Sequence, residues 1–431
     1  MLRRVYAFAA TSRVLVISVG IASFLWTGTY DSSADLELGP PESWAQSCLN
    51  TFLRWDAIYF NHIANRGYIY EQQHAFFPLL PLCARVLANT VLAPLHSLIG
   101  TEYTTLLAGI LITNVAFVLA AGALYQLTRA VFPQQPALAT VAGYAFALSP
   151  PAMFMSSLYT ESPFALLTFW GMLQYVRKRY LLAALLWGLA SAMRSNAIIY
   201  AGFFVFDALV LPIVSRHWSV GKLLVNLITT LLYSLVTFSG FVGVQYYGYT
   251  QYCQGELVRP WCDQQPPLLY GYVQKVYWNN GLFAYYELKQ IPNFLLAAPI
   301  IALSAGGIWL YASKDWTQFL TLGALTSPKT EPKDGLGAAI IAEYTSKTAA
   351  PFIYLWAFLL VYATTCMHVQ VILRFFTSVP GLYWFTAVLW IRGYGEHATS
   401  HQRWTANAVL SYYVLYGLVG IVLFAAFLPP A

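Results

Sequence analysis

The feature that most limits this chain is a succession of apolar stretches, many about 20 residues long and nearly free of charge. An α-helix rises about 1.5 Å per residue, so a stretch of that length can cross a hydrocarbon layer about 30 Å thick. The clearest stretches cover 5–29, 104–128, 137–150, 163–177, 180–194, 196–214, 222–247, 292–312, 350–367, 374–391 and 407–428. Several are short for a full crossing, which predicts tilted or broken segments, or segments buried among neighbours. Only 9% of the residues are charged and 58% are hydrophobic, whereas a soluble domain carries about 25% charge. The expected fold is therefore all-α, a polytopic transmembrane bundle of about 11–12 hydrophobic segments forming one membrane domain over 1–431. A disordered chain, a disulfide-dense secreted domain and a nucleic-acid binder are excluded, and the lipid bilayer is the first partner implied. The stretch 76–98 carries Pro78, Pro81, Arg85 and Pro94, so it could span, or enter and return.

The net charge of +6 follows topology. With Arg3 and Arg4 cytosolic, Arg177, Lys178, Arg179, Arg216, Lys222, Lys314, Lys329, Lys333, Lys347, Arg392 and Arg403 all fall in cytosolic loops. This positive-inside pattern puts 30–75, 151–162, 248–290 and 367–373 on the opposite side, with 313–349 as a cytosolic linker. The first apolar run is longer than the core of a typical signal peptide and lacks a clear small-residue cleavage site, so it reads as a retained helix.

The most informative segment is 54–65. At 100° per residue, Arg54, Asn61 and Asn65 form a polar stripe opposite an apolar face of Trp55, Tyr59, Phe60, Ile63 and Ala64. This is the pattern of an amphipathic helix lying in the membrane interface. Asp56 falls in the middle of the apolar face, where a carboxylate is costly without a partner or a task. Two readings stand: it pairs with a buried arginine and holds the helix down, or it faces a cavity and acts as a base.

The run Arg54-Trp-Asp-Ala-Ile-Tyr-Phe60, with His62-Ile-Ala64, Arg66-Gly-Tyr-Ile-Tyr-Glu71 and Ala75-Phe-Phe-Pro-Leu-Leu-Pro81, resembles the first luminal loop of the PIG-V family, GPI mannosyltransferase II. The likeness continues through Leu148-Ser-Pro150, Tyr159-Thr-Glu-Ser162, Arg194-Ser-Asn196 and Gln245-Tyr-Tyr-Gly-Tyr-Thr-Gln251. It extends to Tyr277-Trp-Asn279, Tyr285-Tyr-Glu-Leu-Lys-Gln290, Pro292-Asn-Phe-Leu-Leu-Ala-Ala-Pro299, Cys366-Met-His-Val-Gln370, Arg374-Phe375 and Phe427-Leu-Pro429. These blocks cover nearly the whole chain in family order.

The resemblance implies a GT-C type glycosyltransferase of the endoplasmic reticulum membrane, with a luminal active site and a cytosolic N-terminus. Its donor would be dolichyl-phosphate-mannose, and its acceptor the GPI precursor glycolipid, which receives its second mannose in α1,6 linkage. A β-linked donor and an α-linked product make the reaction inverting, so one displacement with one base suffices. Asp56 is the expected catalytic base. The leaving dolichyl phosphate gathers negative charge, which calls for cations and hydrogen-bond donors. Arg194, Asn196, His368, Gln370 and Arg374 are the candidates on that side. Arg194 could equally be a structural arginine paired to a carboxylate. A helical 368–374 would put Gln370 and Arg374 on one face and His368 elsewhere. Trp55, Glu161, Lys275, Tyr277 and Trp278 are the acceptor-side candidates, although Glu161 and Ser162 also suit a helix N-terminus beginning at Pro163.

The loop 248–290 is rich in Tyr, Trp and Gln, as expected of a surface over a glycan or of an aromatic belt at the interface. Cys253 and Cys262 share that loop and are candidates for a disulfide. Glu71 and His74 could hold a divalent ion but have no ligand cluster of the usual spacing, and the donor has no diphosphate, so no metal or other cofactor is expected to be required. An accessory membrane subunit is compatible with all of this. The rivals are a sister GT-C enzyme and, from another class, a lipid or solute transporter. A transporter would place its charges at mid-membrane, whereas here Asp207 is the main ionisable residue inside a span.

Overall fold

The computed structural model describes residues 1–216, 218–255, 258–323, 325 and 336–429. Lys329 and Lys333 of the 313–349 linker lie outside the described residues. Among the described residues the chain is built from helices and turns, with no strand. Among those residues, seven helices are long and apolar enough to cross a membrane: Leu2–Thr27, Thr101–Val131, Ser195–Val214, Val220–Tyr252, Leu288–Lys314, Lys347–Thr365 and Ser400–Ala425. Two bent pairs raise the number to nine if each is one span.

The shorter total has physical causes. Pro136–Ala147 and Tyr180–Ser191 have 12 residues each, or about 18 Å of helix, less than a regular helix needs for a hydrocarbon layer about 30 Å thick. The stretch 76–98 is bent by 75° between Leu79–Asn89 and Ala93–Ile99, and Pro94 stands in the first turn after the break. The expected span 374–391 is likewise divided. Val369–Ser378 runs at 85° to Pro380–Gly393, and Pro380 opens the second helix. Between 180 and 214 the helix stops at Ser191 and resumes as a 3₁₀ turn at Ser195, leaving Arg194 in an extended conformation.

Small residues let these pieces touch. A Cβ added to Gly240 would lie 2.4 Å from the backbone of Gly188 and Ala192, so Val220–Tyr252 and Tyr180–Ser191 meet backbone to backbone. Between Pro136–Ala147 and Glu161–Val176 the chain runs through the interior without regular structure, and residues 149–160 are all buried. Its carbonyls therefore need partners. Arg13 of the first helix donates to Ala152 O at 2.9 Å and to Ser156 Oγ at 3.0 Å. Asn114 donates to Ser156 O at 2.8 Å, and Ser162 Oγ donates to Met155 O at 2.7 Å.

The segment 54–65 departs from the expected polar face in water. The helix is Asp56–Arg66, and Arg54 precedes it. Arg54 is fully buried, donates to Asn50 O at 2.6 Å and Leu53 O at 2.9 Å, and sits against the rings of Phe24 and Phe427. Asn61 is fully buried, and Asn65 Oδ1 accepts from Thr105 of the long helix Thr101–Val131 at 2.8 Å. Arg54 and Asn65 thus bond to neighbouring protein groups, whereas the Asn61 side chain is buried without a hydrogen-bond partner, and Trp55, Asp56 and Phe60 border a cavity.

Candidate active site

That cavity has a volume of about 530 Å³. Asp56 and Trp55 enter it from the start of their helix, Arg194 and Asn196 from the helix break, and His368, Gln370 and Arg374 from the bent segment. Trp278 lines it from the 248–290 loop. Chain breaks rather than helix bodies therefore supply the site, which explains why residues from four separate regions converge.

Its electrostatic centre is a chain of four charges. Arg374 Nη2 meets Asp56 Oδ2 at 2.6 Å, and Arg374 Nε meets Glu161 Oε1 at 2.8 Å. The same Glu161 oxygen takes Arg194 Nη1 at 3.1 Å. Glu161 is fully buried, whereas the Asp56 side chain keeps 26% of its surface exposed. Two carboxylates and two guanidiniums cancel in formal charge, which makes the burial tolerable. Arg374 also lies over the rings of Phe154 and Tyr159, 4.7 and 4.8 Å from their centroids. Both readings of Asp56 therefore meet in one geometry: it pairs with a buried arginine, and it faces a cavity.

Glu161 does more than stand at a helix N-terminus. It is the first residue of Glu161–Val176, Thr160 makes no side-chain cap, and the Ser162 hydroxyl turns back to Met155. Its carboxylate holds the two arginines together. Arg194 likewise joins its two readings, being ion-paired and part of the cavity wall. His368 shares the cavity with Gln370 and Arg374 because it stands in extended backbone before the short helix, where the helical projection does not apply. Its ring stacks on Tyr285 at 4.4 Å, and burial lowers its pKa.

Three acceptor-side candidates do not line the cavity, and the first of them, Glu161, is fully buried in its ion pairs. Lys275 is exposed on the outer side of Leu269–Val276 and does not line the cavity. Tyr277 points to Glu71 and donates to its Oε2 at 2.8 Å. Glu71 also receives Arg259 Nη2 at 2.7 Å and Trp261 Nε1 at 2.9 Å. Burial pushes its carboxyl up, but these three donors prevail and hold it below the ordinary carboxylate value. The knot is bound to the loop by the Cys253–Cys262 disulfide, whose Cα atoms are 5.5 Å apart. No group of three or more His, Cys, Asp or Glu side chains suited to a metal occurs among the described residues.

A family model described as Mannosyltransferase (PIG-V) matches residues 5–431. The chain belongs to this family. Among its relatives, the rat protein named GPI alpha-1,6-mannosyltransferase 2 is 36% identical over 81% of this chain and 75% of its own length. The human protein of that name is 36% identical over 80% of this chain and 74% of its own. The Gibberella zeae protein named GPI mannosyltransferase 2 is 31% identical over 93% of this chain and 91% of its own. A solved structure, the Archaeoglobus fulgidus oligosaccharyltransferase tethered with an acceptor peptide, matches 98% of this chain and 55% of its own with 12% identity and a TM-score of 0.49.

For a PIG-V mannosyltransferase the cavity has a useful asymmetry. Arg374 occupies Asp56 Oδ2, while Oδ1 takes no hydrogen bond from any described residue. One carboxylate oxygen is thus anchored and the other is free to accept a proton from a hydroxyl. Thr160, Gln274, Asn280 and Tyr270 also line the wall and were not singled out from sequence. The signal that could have found the first of these is its place beside Glu161, in a turn that the chain buries completely. The amides of 274 and 280 carry no such local signal.

Proposed function

We propose that this enzyme transfers mannose from dolichyl-phosphate-mannose to the GPI precursor glycolipid, in α1,6 linkage, as its second mannose. The acceptor hydroxyl attacks the anomeric carbon while the carbon–oxygen bond to the phosphate breaks, and the electron pair departs with dolichyl phosphate. Asp56 takes the hydroxyl proton on its free oxygen. Arg374 and Arg194 stabilise the charge gathering on the phosphate, and Asn196, His368 and Gln370 hydrogen-bond the phosphate or the sugar. Trp55 and Trp278 offer aromatic faces to sugar rings. The donor carries a single phosphate and a good leaving group, so the scheme needs no metal or other cofactor.

The observation that carries this reading is the 2.6 Å pair of Asp56 and Arg374 on the wall of one cavity, which brings a base and a phosphate-binding cation within reach of one substrate. The basic cluster Arg177–Arg179 closes the helix that Glu161 opens, and Arg392 ends the helix that follows Arg374. That polarity supports a luminal cavity and a cytosolic N-terminus in the endoplasmic reticulum. The test uses membranes lacking the endogenous activity, supplied with this chain, dolichyl-phosphate-mannose and a one-mannose GPI precursor. A two-mannose product with an α1,6 bond is expected, and its absence rejects the substrate assignment. Asp56→Asn keeps the shape and removes the base, so turnover is expected to drop roughly 10²–10⁴-fold. Wild-type turnover in this variant rejects the base.

A further inference from the structure

The residue before Asp56 has an unusual backbone. Trp55 has φ 54° and ψ −123°, a conformation that glycine adopts freely and a bulky side chain does not. Strained residues of this kind persist only where the surroundings over-determine them. Here the surroundings can be named. The Tyr159 hydroxyl donates to Arg54 O at 2.8 Å and accepts from Asp56 N–H at 3.1 Å, so one oxygen bridges the two peptides that flank Trp55.

Tyr159 is itself immobile. It is fully buried, with its ring edge-on to Phe60, Phe154 and Phe424. It belongs to the buried loop that Arg13 and Asn114 hold, and it stands two residues before Glu161. Its ring also lies beneath the guanidinium of Arg374. One side chain therefore touches both the backbone that aims Asp56 and the cation that receives it.

We propose that Tyr159 is a positioning residue: its hydroxyl clamps the strained Trp55 elbow and so fixes the Asp56 carboxylate between Arg374 and the cavity. The proposal rests on the reading of Asp56 as the base. Without the clamp the elbow relaxes toward ordinary φ, and the carboxylate leaves its productive position. A misplacement of about 1 Å at a reacting group can cost roughly 10²-fold in rate. Tyr159→Phe keeps the ring under Arg374 and removes only the bridge.

The experiment compares wild type, Y159F, D56N and D56N/Y159F. Y159F is expected to lose roughly 10- to 100-fold in kcat with donor and acceptor KM changed less than about threefold. The double variant is expected to be no slower than D56N within about twofold, because the hydroxyl acts through Asp56. Y159F turnover at the wild-type rate while D56N is inactive overturns the clamp and leaves the base intact. A loss carried wholly by KM, or a double variant slowed by the full Y159F factor, overturns it as well. D56N at the wild-type rate rejects the base, and the clamp with it. A stability cycle covers a poorly folding Y159F: in a W55G background, where glycine holds the elbow unaided, the Tm loss from Y159F is expected to shrink by at least half. An equal loss in both backgrounds overturns the clamp.

Discussion

Two carboxylate clusters, one at Glu71 and one at Asp56 and Glu161, differ in how completely their oxygens are hydrogen-bonded. At Glu71 both oxygens are taken by Arg259, Trp261 and Tyr277. Around Asp56 and Glu161 the hydrogen bonding is incomplete: Asp56 Oδ1 takes no hydrogen bond from any described residue, and Glu161 Oε2 is buried without a partner. A saturated cluster has nothing left to offer a substrate, so its energy goes into holding the first loop to the disulfide loop. An unsaturated one is costly in the resting protein and is kept where chemistry uses it. The comparison teaches that hydrogen-bond completeness separates the holding cluster from the one proposed to react.

The sharpest way to break that comparison is at Arg374. Arg374→Lys keeps the charge, but an ammonium cannot present Nε to Glu161 and Nη2 to Asp56 along one fixed plane. A kcat loss of roughly 10²–10³-fold is expected, with the fold retained by circular dichroism. A loss under about fivefold would mean that the fork geometry is dispensable and that only a positive charge matters there.

Glu71→Gln tests the other side. It leaves three donors around a neutral amide, one of whose positions now donates. Arg259 is partly open to solvent, so screening limits the effect, and a stability loss of about 2 kcal/mol is expected. The kcat on the native substrates should stay within about threefold. A large kcat loss with unchanged Tm would place Glu71 in the reaction and erase the distinction between the clusters.

Much of this was legible beforehand, and the rest was not for definable reasons. Apolar runs set the all-helical membrane fold, and residue order in the motif blocks pointed to Asp56, Arg194 and Arg374. Periodicity misplaced Arg54, because a helical projection cannot see that the helix begins two residues later, beyond a positive-φ elbow. Nor does it apply at His368, which stands before a helix start. Hydropathy marks the apolar segments but does not register where they bend, at Thr90 or at Val379. The role of Glu161 was hidden for another reason. A helix N-terminus and an ion-pair hub demand the same residue at the same place, and only the partners brought in from Arg194 and Arg374 decide between them. Tyr159 stands in a block that carries the family likeness, but nothing there assigned it a task, since a buried tyrosine in an apolar turn is ordinary until its hydroxyl is seen between two backbone groups.

The smallest expected effect concerns His74, which lies behind the Glu71 knot and sharpens the comparison through pH. It is buried, both ring nitrogens lack partners, and its ring stacks on Tyr68 with Tyr247 and Tyr252 alongside. Burial lowers its pKa to about 4, and the nearby Glu71 carboxylate only partly opposes this. The folded protein thus keeps His74 neutral, while the unfolded chain takes up a proton near pH 6.5. The stability it contributes is fully present above pH 6.5 and declines as pH falls from there toward about 4. Between pH 7 and 5.5 the expected loss is about 1 kcal/mol. His74→Phe fills the same aromatic slot without a titrating group, so the difference in unfolding free energy between wild type and variant should narrow by that amount over this range. A pH-independent difference would show that His74 finds a proton acceptor in the folded state. The Glu71 cluster would then have spare acceptor capacity after all, contrary to its reading as saturated.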